Sequence, residues 1–271
     1  MHDPRAPIGI FDSGIGGLTV AREIARRLPT EHLRYLGDTA RLPYGSKSDE
    51  TIKRYAERCV EFLVAQDVKA IVIACNTVSA VALPHLRQRF DLPILGVVDP
   101  GARAAVNASV TRRIGVIGQE GTIRSRSYER AIQTLDPKAH VVQQACPLLV
   151  PLAEEGWVDT DVARLVIRRY CRAFEDTNID TLVLGCTHYP LFREQIAEEA
   201  PRVLGRPLTL VDSATTVTAD LVELLTGQGL RNPAAEDGTR RFTMTDLPER
   251  FQRAADRFFG APFDRLDQVD L

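Results

Sequence analysis

A chain of 271 residues, 44% hydrophobic and 6% aromatic, carries enough apolar mass for one large α/β domain or two smaller ones. Its formal charge of −2 is spread along the sequence, which argues against a basic nucleic-acid arm or a polybasic membrane patch. No apolar run approaches the roughly 18 residues of a membrane span, and residues 1–5 lack the apolar core of a secretion signal, so a cytoplasmic protein is expected, with neither nucleic acid nor membrane as a partner.

The first short strand falls at residues 7–11 and runs into Asp12-Ser13-Gly14-Ile15-Gly16-Gly17. The glycines permit a tight strand-to-helix turn. Thr19 stands where a dinucleotide fingerprint needs its third glycine, and no Gly-Lys-Ser/Thr follows, so neither usual nucleotide loop is present. A helix over 18–28 and a strand over 33–36 lead to Gly37-Asp38-Thr39 and the turn-rich Arg41-Leu42-Pro43-Tyr44-Gly45. A helix covers 49–66. The run Ala70-Ile71-Val72-Ile73-Ala74 has no polar alternation and predicts a strand buried on both faces. It meets Cys75-Asn76-Thr77 and then helix-compatible sequence over 78–83, with a further strand at 93–97. A helix over 99–107 crosses to a second unit.

There a strand at 113–117 precedes the turn 118–122, a helix over 123–135 and a strand over 140–143. Residues 146–156 read as irregular and apolar, ending on Glu154 and Glu155. A helix over 161–176 has Asp159 or Thr160 as candidate cap. Thr181-Leu182-Val183-Leu184-Gly185 then repeats the earlier phrase by running into Cys186-Thr187-His188. Helix 190–200, strand 208–211, and a long helix to 226 capped by Asp212-Ser213 follow. After a polar loop at 228–238, a strand over 240–245 and a helix over 247–258 close the pattern. Strand–helix alternation throughout predicts an α/β fold of mostly parallel sheets flanked by helices. Two similar units are expected, residues 1–97 with 208–271 around Cys75, and 98–207 around Cys186. The last 60 or so residues are too few to bury a core of their own.

The cysteines are five: Cys59, Cys75, Cys146, Cys171 and Cys186. An odd number without a Cys-x-x-Cys argues against a disulfide scaffold and a structural zinc site. The lysines are few and lie outside every motif, which counts against pyridoxal phosphate. No cofactor and no metal are expected. A single buried cysteine at a strand end is usually a small hydrophobe. Two of them, each followed by polar residues and a helix start about 110 residues apart, are a pattern. Helix N-termini and nearby cations can bring a thiol from about 8.5 to roughly 3.5–7.5. One sulfur could then be a thiolate while the other stays a thiol. Facing each other across a cleft, they would form a base and an acid on opposite sides of one carbon, an arrangement suited to stereoinversion. Asp12 could orient or relay protons for Cys75, and His188 for Cys186. Ser13, Asn76, Thr77, Thr187 and backbone amides supply donors for carboxylate oxygens and for an enediolate-like intermediate. Asp38 or Glu154 could hold a substrate ammonium.

The segments Ile8–Leu18, Gly37–Gly45, Ile73–Thr77 and Leu184–Leu191 resemble bacterial glutamate racemase, a cofactor-independent member of the aspartate/glutamate racemases, and 146–156 and 211–213 match as well. The resemblance covers essentially the whole chain. It implies two pseudo-symmetric α/β domains with glutamate bound between them, and interconversion of L- and D-glutamate that supplies D-glutamate to peptidoglycan. It assigns Cys75 and Cys186 as the acid/base pair. It also implies substrate contacts from Asp12, Ser13, Pro43, Tyr44, Gly45, Asn76, Thr77, Thr122, Thr187 and His188. At Gln119 this sequence departs from the threonine of the family pattern, so that turn's carboxylate contact rests on Thr122. Members of the family are often dimers, which makes a homodimer the expected assembly. The nearest rival is aspartate racemase or another two-cysteine racemase. A decarboxylase that protonates an enolate needs only one thiol, and a two-lobed amino-acid binding protein needs none.

Overall fold

The computed structural model describes residues 3–247 and 251–271. The chain opens with β1 (Ile8–Asp12), α1 (Leu18–Arg27), β2 (Leu33–Gly37), α2 (Asp49–Val64) and β3 (Ala70–Ile73). Two short helices, α3 (Asn76–Val81) and α4 (Leu83–Arg89), lead to β4 (Ile94–Gly96) and then α5 (Val98–Ala108). A second series follows: β5 (Arg113–Gly118), α6 (Glu120–Ser125), α7 (Ser127–Leu135), β6 (His140–Ala145), α8 (Leu149–Glu155), α9 (Asp161–Cys171), β7 (Thr181–Gly185), α10 (Arg193–Leu204) and β8 (Thr209–Asp212). The chain ends with α11 (Ser213–Gly227), β9 (Arg240–Met244), α12 (Phe251–Phe258) and β10 (Arg265–Gln268).

The strands form two sheets, one in the order β10-β9-β2-β1-β3-β4 and one in the order β6-β5-β7-β8. Every pairing in both is parallel. All residues of β1, β3 and β7 are buried, which explains their unbroken apolar runs: helices cover both faces of each sheet, so side chains of either parity must be apolar. In each sheet the chain turns back across its starting strand. It goes from β1 out to β2 and returns to β3 on the other side, and from β5 out to β6 and returns to β7. Each sheet therefore has a switch point between two adjacent strands, β1/β3 and β5/β7, and a crevice opens at the carboxyl ends there. Register aligns the crevice walls: Phe11 pairs with Ile73 and Gly118 with Gly185, so Asp12-Ser13 lies beside Ala74-Cys75 and Gln119 beside Cys186.

The structure corrects several expected boundaries. Residues 209–212, expected with the first unit, form β8 and pair with β7 along its otherwise open edge. Only then does the chain return, through α11 against α1 and β9 against β2. Residues 149–155, expected to be irregular, are α8. Pro151 lies in its first turn, where the missing N–H would have had no intrahelical acceptor, and Gly156 at φ 80° ends it. The expected helix over 123–135 starts earlier and is broken at Arg126, which sits at φ 52°. The helix from Asp161 is shorter than expected, giving way to a single 3₁₀ turn at Arg172–Phe174. Thr160 is its cap, accepting from the Ala163 amide at 3.2 Å. Asp212 caps α11 through the Thr215 amide at 2.9 Å. Of the helix expected over 247–258, residues 248–250 lie outside the described residues.

Candidate active site

A cavity of about 470 Å³, part of it open to solvent, lies where the carboxyl ends of β1, β3, β5 and β7 converge. The segment after β1 contributes Ser13, that after β3 contributes Cys75, Asn76 and Thr77, that after β5 Gln119 and Thr122, and that after β7 Cys186, Thr187 and His188. The turn after β2 adds Leu42, Pro43, Tyr44 and Gly45, and α8 adds Val150 and Glu154. The two expected sulfurs thus come from different sheets to one cavity. They are 7% and 6% exposed, and negative charge on Cys186 acts on Cys75.

Around Cys75 the environment is buried and anionic. Its thiol is pushed up to about 12, first by burial and then by the Asp12 carboxylate, against weaker opposing hydrogen bonds from Ser13 and the Val78 amide. The Ser13 hydroxyl is 3.2 Å from the sulfur. Asp12 is 1% exposed and is not part of the cavity wall. Its Oδ2 accepts the Gly14 amide at 2.9 Å, and its Oδ1 has no partner among the described residues. Burial raises its carboxyl above the usual range, opposed by positive charge on His188. Asp12 therefore sits directly behind Ser13, between the two halves.

Around Cys186 the partner is a cation. His188 Nδ1 lies 3.8 Å from the sulfur and Nε2 is 3.0 Å from Glu154 Oε1. Burial alone would discharge the ring, but the hydrogen bonds to Cys186 and Glu154 outweigh it and raise the imidazole to about 10. The ring is seated edge-on against Phe258, with centroids 5.1 Å apart. Gly16, in the turn after β1, closes the other side: a Cβ there would lie 2.3 Å from His188 Nδ1 and 2.3 Å from Thr187 Oγ1. Only glycine allows the β1 turn to approach this closely. Thr19 of α1 donates to the Thr187 carbonyl at 2.9 Å, and the Thr77 and Thr122 hydroxyls pair at 3.0 Å, so the two units are joined across the cavity.

Ser13, Pro43, Tyr44, Gly45, Asn76, Thr77, Thr122, Thr187, His188 and Glu154 all line the cavity as expected positions of contact. Asp38 does not. It is fully buried, and its carboxylate accepts from Arg41 at 2.8 Å, Tyr44 at 2.5 Å and Thr245 at 2.8 Å. With those donors it is a structural anchor for the Leu42–Gly45 turn rather than a free carboxylate for an ammonium group. Glu154 faces the cavity and is hydrogen-bonded to His188. The residues missed by sequence reasoning are Leu42, Val150, Gly185 and the side chain of Gln119, which donates to the Tyr189 hydroxyl at 3.2 Å. Gln119 directly follows a central strand, the same positional signal that marked Cys75. All five thiols are free and buried, so Cys59, Cys146 and Cys171 are core groups. Among the described residues no group of three or more His, Cys, Asp or Glu could hold a metal ion.

A cavity walled by two thiols of opposite electrostatic setting, with hydroxyls and amides between them, is equipped to take a proton from a carbon acid and return one. A model of the Asp/Glu/Hydantoin racemase family matches residues 8–221, and the chain belongs to that family. Within it the similarity is to glutamate racemases. That of Geobacter metallireducens is 48% identical over 268 residues, covering 99% of this chain and 98% of the relative. The structure of glutamate racemase from Francisella tularensis in complex with D-glutamate matches at TM-score 0.91 and 36% identity, covering 98% of each chain. An aspartate racemase homologue from Pyrococcus horikoshii, at 18% identity and TM-score 0.59 over 81% of this chain and 99% of its own, shares the fold alone.

Proposed function

We propose that this protein is a cofactor-independent glutamate racemase, interconverting L- and D-glutamate by proton exchange between Cys75 and Cys186. The observation that carries this reading is the arrival of two thiols, from the matching strand ends of two sheets, at one small cavity. Glutamate is favoured over aspartate because the similarity to glutamate racemases extends over nearly the whole chain at 48% identity, whereas the aspartate racemase homologue shares only the fold.

In one direction Cys186, as thiolate, takes the α-proton. The C–H bond breaks, an S–H bond forms, and the electron pair moves into the carboxylate as an enediolate. Cys75, held as a thiol by its buried setting, gives its proton to the opposite face, so its S–H bond breaks and a new C–H bond forms. In the other direction the roles exchange. Charge on the Cys186 sulfur is balanced by the His188 imidazolium, and the loss of charge from His188 is in turn resisted by Glu154. Ser13, Asn76, Thr77, Thr122 and Thr187 supply hydroxyl and amide donors to the substrate carboxylates, and donors at developing charge are the largest expected source of rate. Asp12 acts from behind Ser13 on the Cys75 proton. The product D-glutamate serves peptidoglycan synthesis in the cytoplasm, and the same reading takes the enzyme as a homodimer, which sedimentation would test. Among the described residues no helix is long and apolar enough to cross a membrane.

The test is incubation with L-glutamate in D2O without added cofactor. The expected result is loss of optical activity with one deuterium entering the α-carbon of each inverted molecule. Release of CO2 would favour a decarboxylase, and inertness toward both enantiomers would refute the reading.

A further inference from the structure

We infer that the Tyr128 phenol and the Ser213 hydroxyl lock the side-chain amide of Asn76 so that its NH2 group faces the substrate, which makes both of them positioning residues of the cavity. The inference rests on the glutamate reading above for the identity of the substrate, and on geometry for the lock itself. Asn76 is the residue after Cys75, is 2% exposed, and lines the cavity. Its amide has two chemically opposite ends, and only the NH2 end can donate to a carboxylate. Tyr128, on α7 of the other unit, donates to Asn76 Oδ1 at 2.7 Å. The Ser213 hydroxyl, at the start of α11, reaches the same oxygen at 3.2 Å. A carbonyl oxygen has two lone pairs and takes both, which turns Nδ2 away from them. Nδ2 is buried and has no partner among the described residues. A buried donor left open in a cavity wall is a place for a ligand acceptor.

The lock also spans the two thiol-bearing segments. The Tyr128 ring is wedged between two glycines: a Cβ at Gly101 would lie 3.0 Å from its Cε1, and a Cβ at Gly185 would lie 3.2 Å from its Cε2. Gly185 immediately precedes Cys186. One side of Tyr128 thus rests on bare backbone beside one sulfur while its hydroxyl holds the residue beside the other. The Ser213 hydroxyl also lies 3.3 Å from the Leu184 carbonyl, and with one proton it donates to one of the two oxygens at a time. Burial pushes the phenol above its ordinary value, so it stays a protonated donor across the working pH range.

Tyr128→Phe keeps the ring in its seat and removes only the donor. The expected result is a rise in KM of about tenfold for both glutamate enantiomers, the size of one lost, misdirected hydrogen bond. The change in kcat should stay within about threefold, and the pH profile of kcat/KM should not move. A purely structural role would instead lower the active fraction, hence kcat, with KM unchanged, and would overturn the inference. In an Asn76→Ala background the same substitution should add less than about twofold, because there is no amide left to orient; an undiminished tenfold effect there also overturns it. Ser213→Ala, which spares the ring packing, should raise KM in the same sense by about threefold. Labelling the four asparagines with ¹⁵N gives a readout independent of substrate. Tyr128→Phe should shift the side-chain NH2 pair of Asn76, and an unmoved pair refutes the lock. A wild-type protein inert toward glutamate, with that pair still responsive to Tyr128→Phe, would sink the substrate assignment and leave the lock standing.

Discussion

Replacing Glu154 by Gln isolates the electrostatic chain behind Cys186. The substitution keeps the side-chain shape and removes the negative charge 3.0 Å from His188 Nε2. A hydrogen bond to a charged group is worth about 1.5–3 kcal/mol. The Glu154 side chain is 35% exposed, however, so solvent screening brings the loss to the low end, about 1.4 kcal/mol or one pKa unit. The imidazole, raised to about 10 in the native protein, should then lose its proton near 9, about one unit lower. The ring itself should stay in place, because Phe258 still packs against it and Gly16 still closes its other side. Two measurements read the effect: the ¹H–¹⁵N titration of the His188 ring, and the alkaline limb of kcat/KM for glutamate. Both should move down by about one pH unit while activity near pH 7 falls only modestly, since the ring remains charged there. An alkaline limb that stays put while the ring titration shifts would show that His188 charge is not coupled to turnover. A ring titration that does not shift would show that Glu154 does not hold that charge at all.

Three further perturbations follow from the same geometry. Cys75→Ala or Cys186→Ala should each abolish racemisation in both directions, by at least about 10³-fold, with D-glutamate binding by calorimetry within a few-fold of the parent; either variant keeping a tenth of its activity would remove the two-thiol mechanism. Gly16→Ala places a methyl 2.3 Å from His188 Nδ1 and should cut kcat about 10- to 100-fold by displacing the ring, with circular dichroism unchanged. Asp38→Ala strips the buried partner of Arg41, Tyr44 and Thr245 and should cost about 3–5 kcal/mol in denaturant unfolding; an intact stability with a raised KM would restore Asp38 as a substrate ligand.

The elements that build the cavity were legible because they are buried on both sides. Strands β1, β3, β5 and β7 announce themselves as apolar runs, and the polar residues that interrupt those runs, Ser13, Cys75, Asn76, Thr122 and Cys186, are the ones facing the crevice. What could not be read was pairing across long sequence separation. Asp38 looks like a free carboxylate until Thr245, 207 residues away, and Tyr44 take up its oxygens. The Asn76 lock depends on Ser213, 137 residues on. Strand β10 escaped because it is an edge strand of mostly polar residues, whose only signal is pairing with β9. Helix α8 was hidden by Pro147 and Pro151, which break a helix only where an amide would have had an acceptor.

The sequence echo also concealed a difference that matters more than the likeness. Both thiols follow a parallel strand and precede a helical turn, and on that ground alone they would be interchangeable. Their neighbours make them unlike. Cys75 is buried, which disfavours its thiolate, and the carboxylate behind it disfavours a second negative charge further, so its sulfur keeps its proton. Cys186 is backed by an imidazolium whose own charge is held by Glu154. Two sulfurs in identical buried surroundings would be both protonated or, at higher pH, mutually repelling, and neither state holds a base and an acid together. With a carboxylate behind one and a cation behind the other, the fold gives the two sulfurs unlike surroundings. Asp12 and His188 also act on each other across the midline, the imidazolium opposing the rise that burial imposes on the carboxyl.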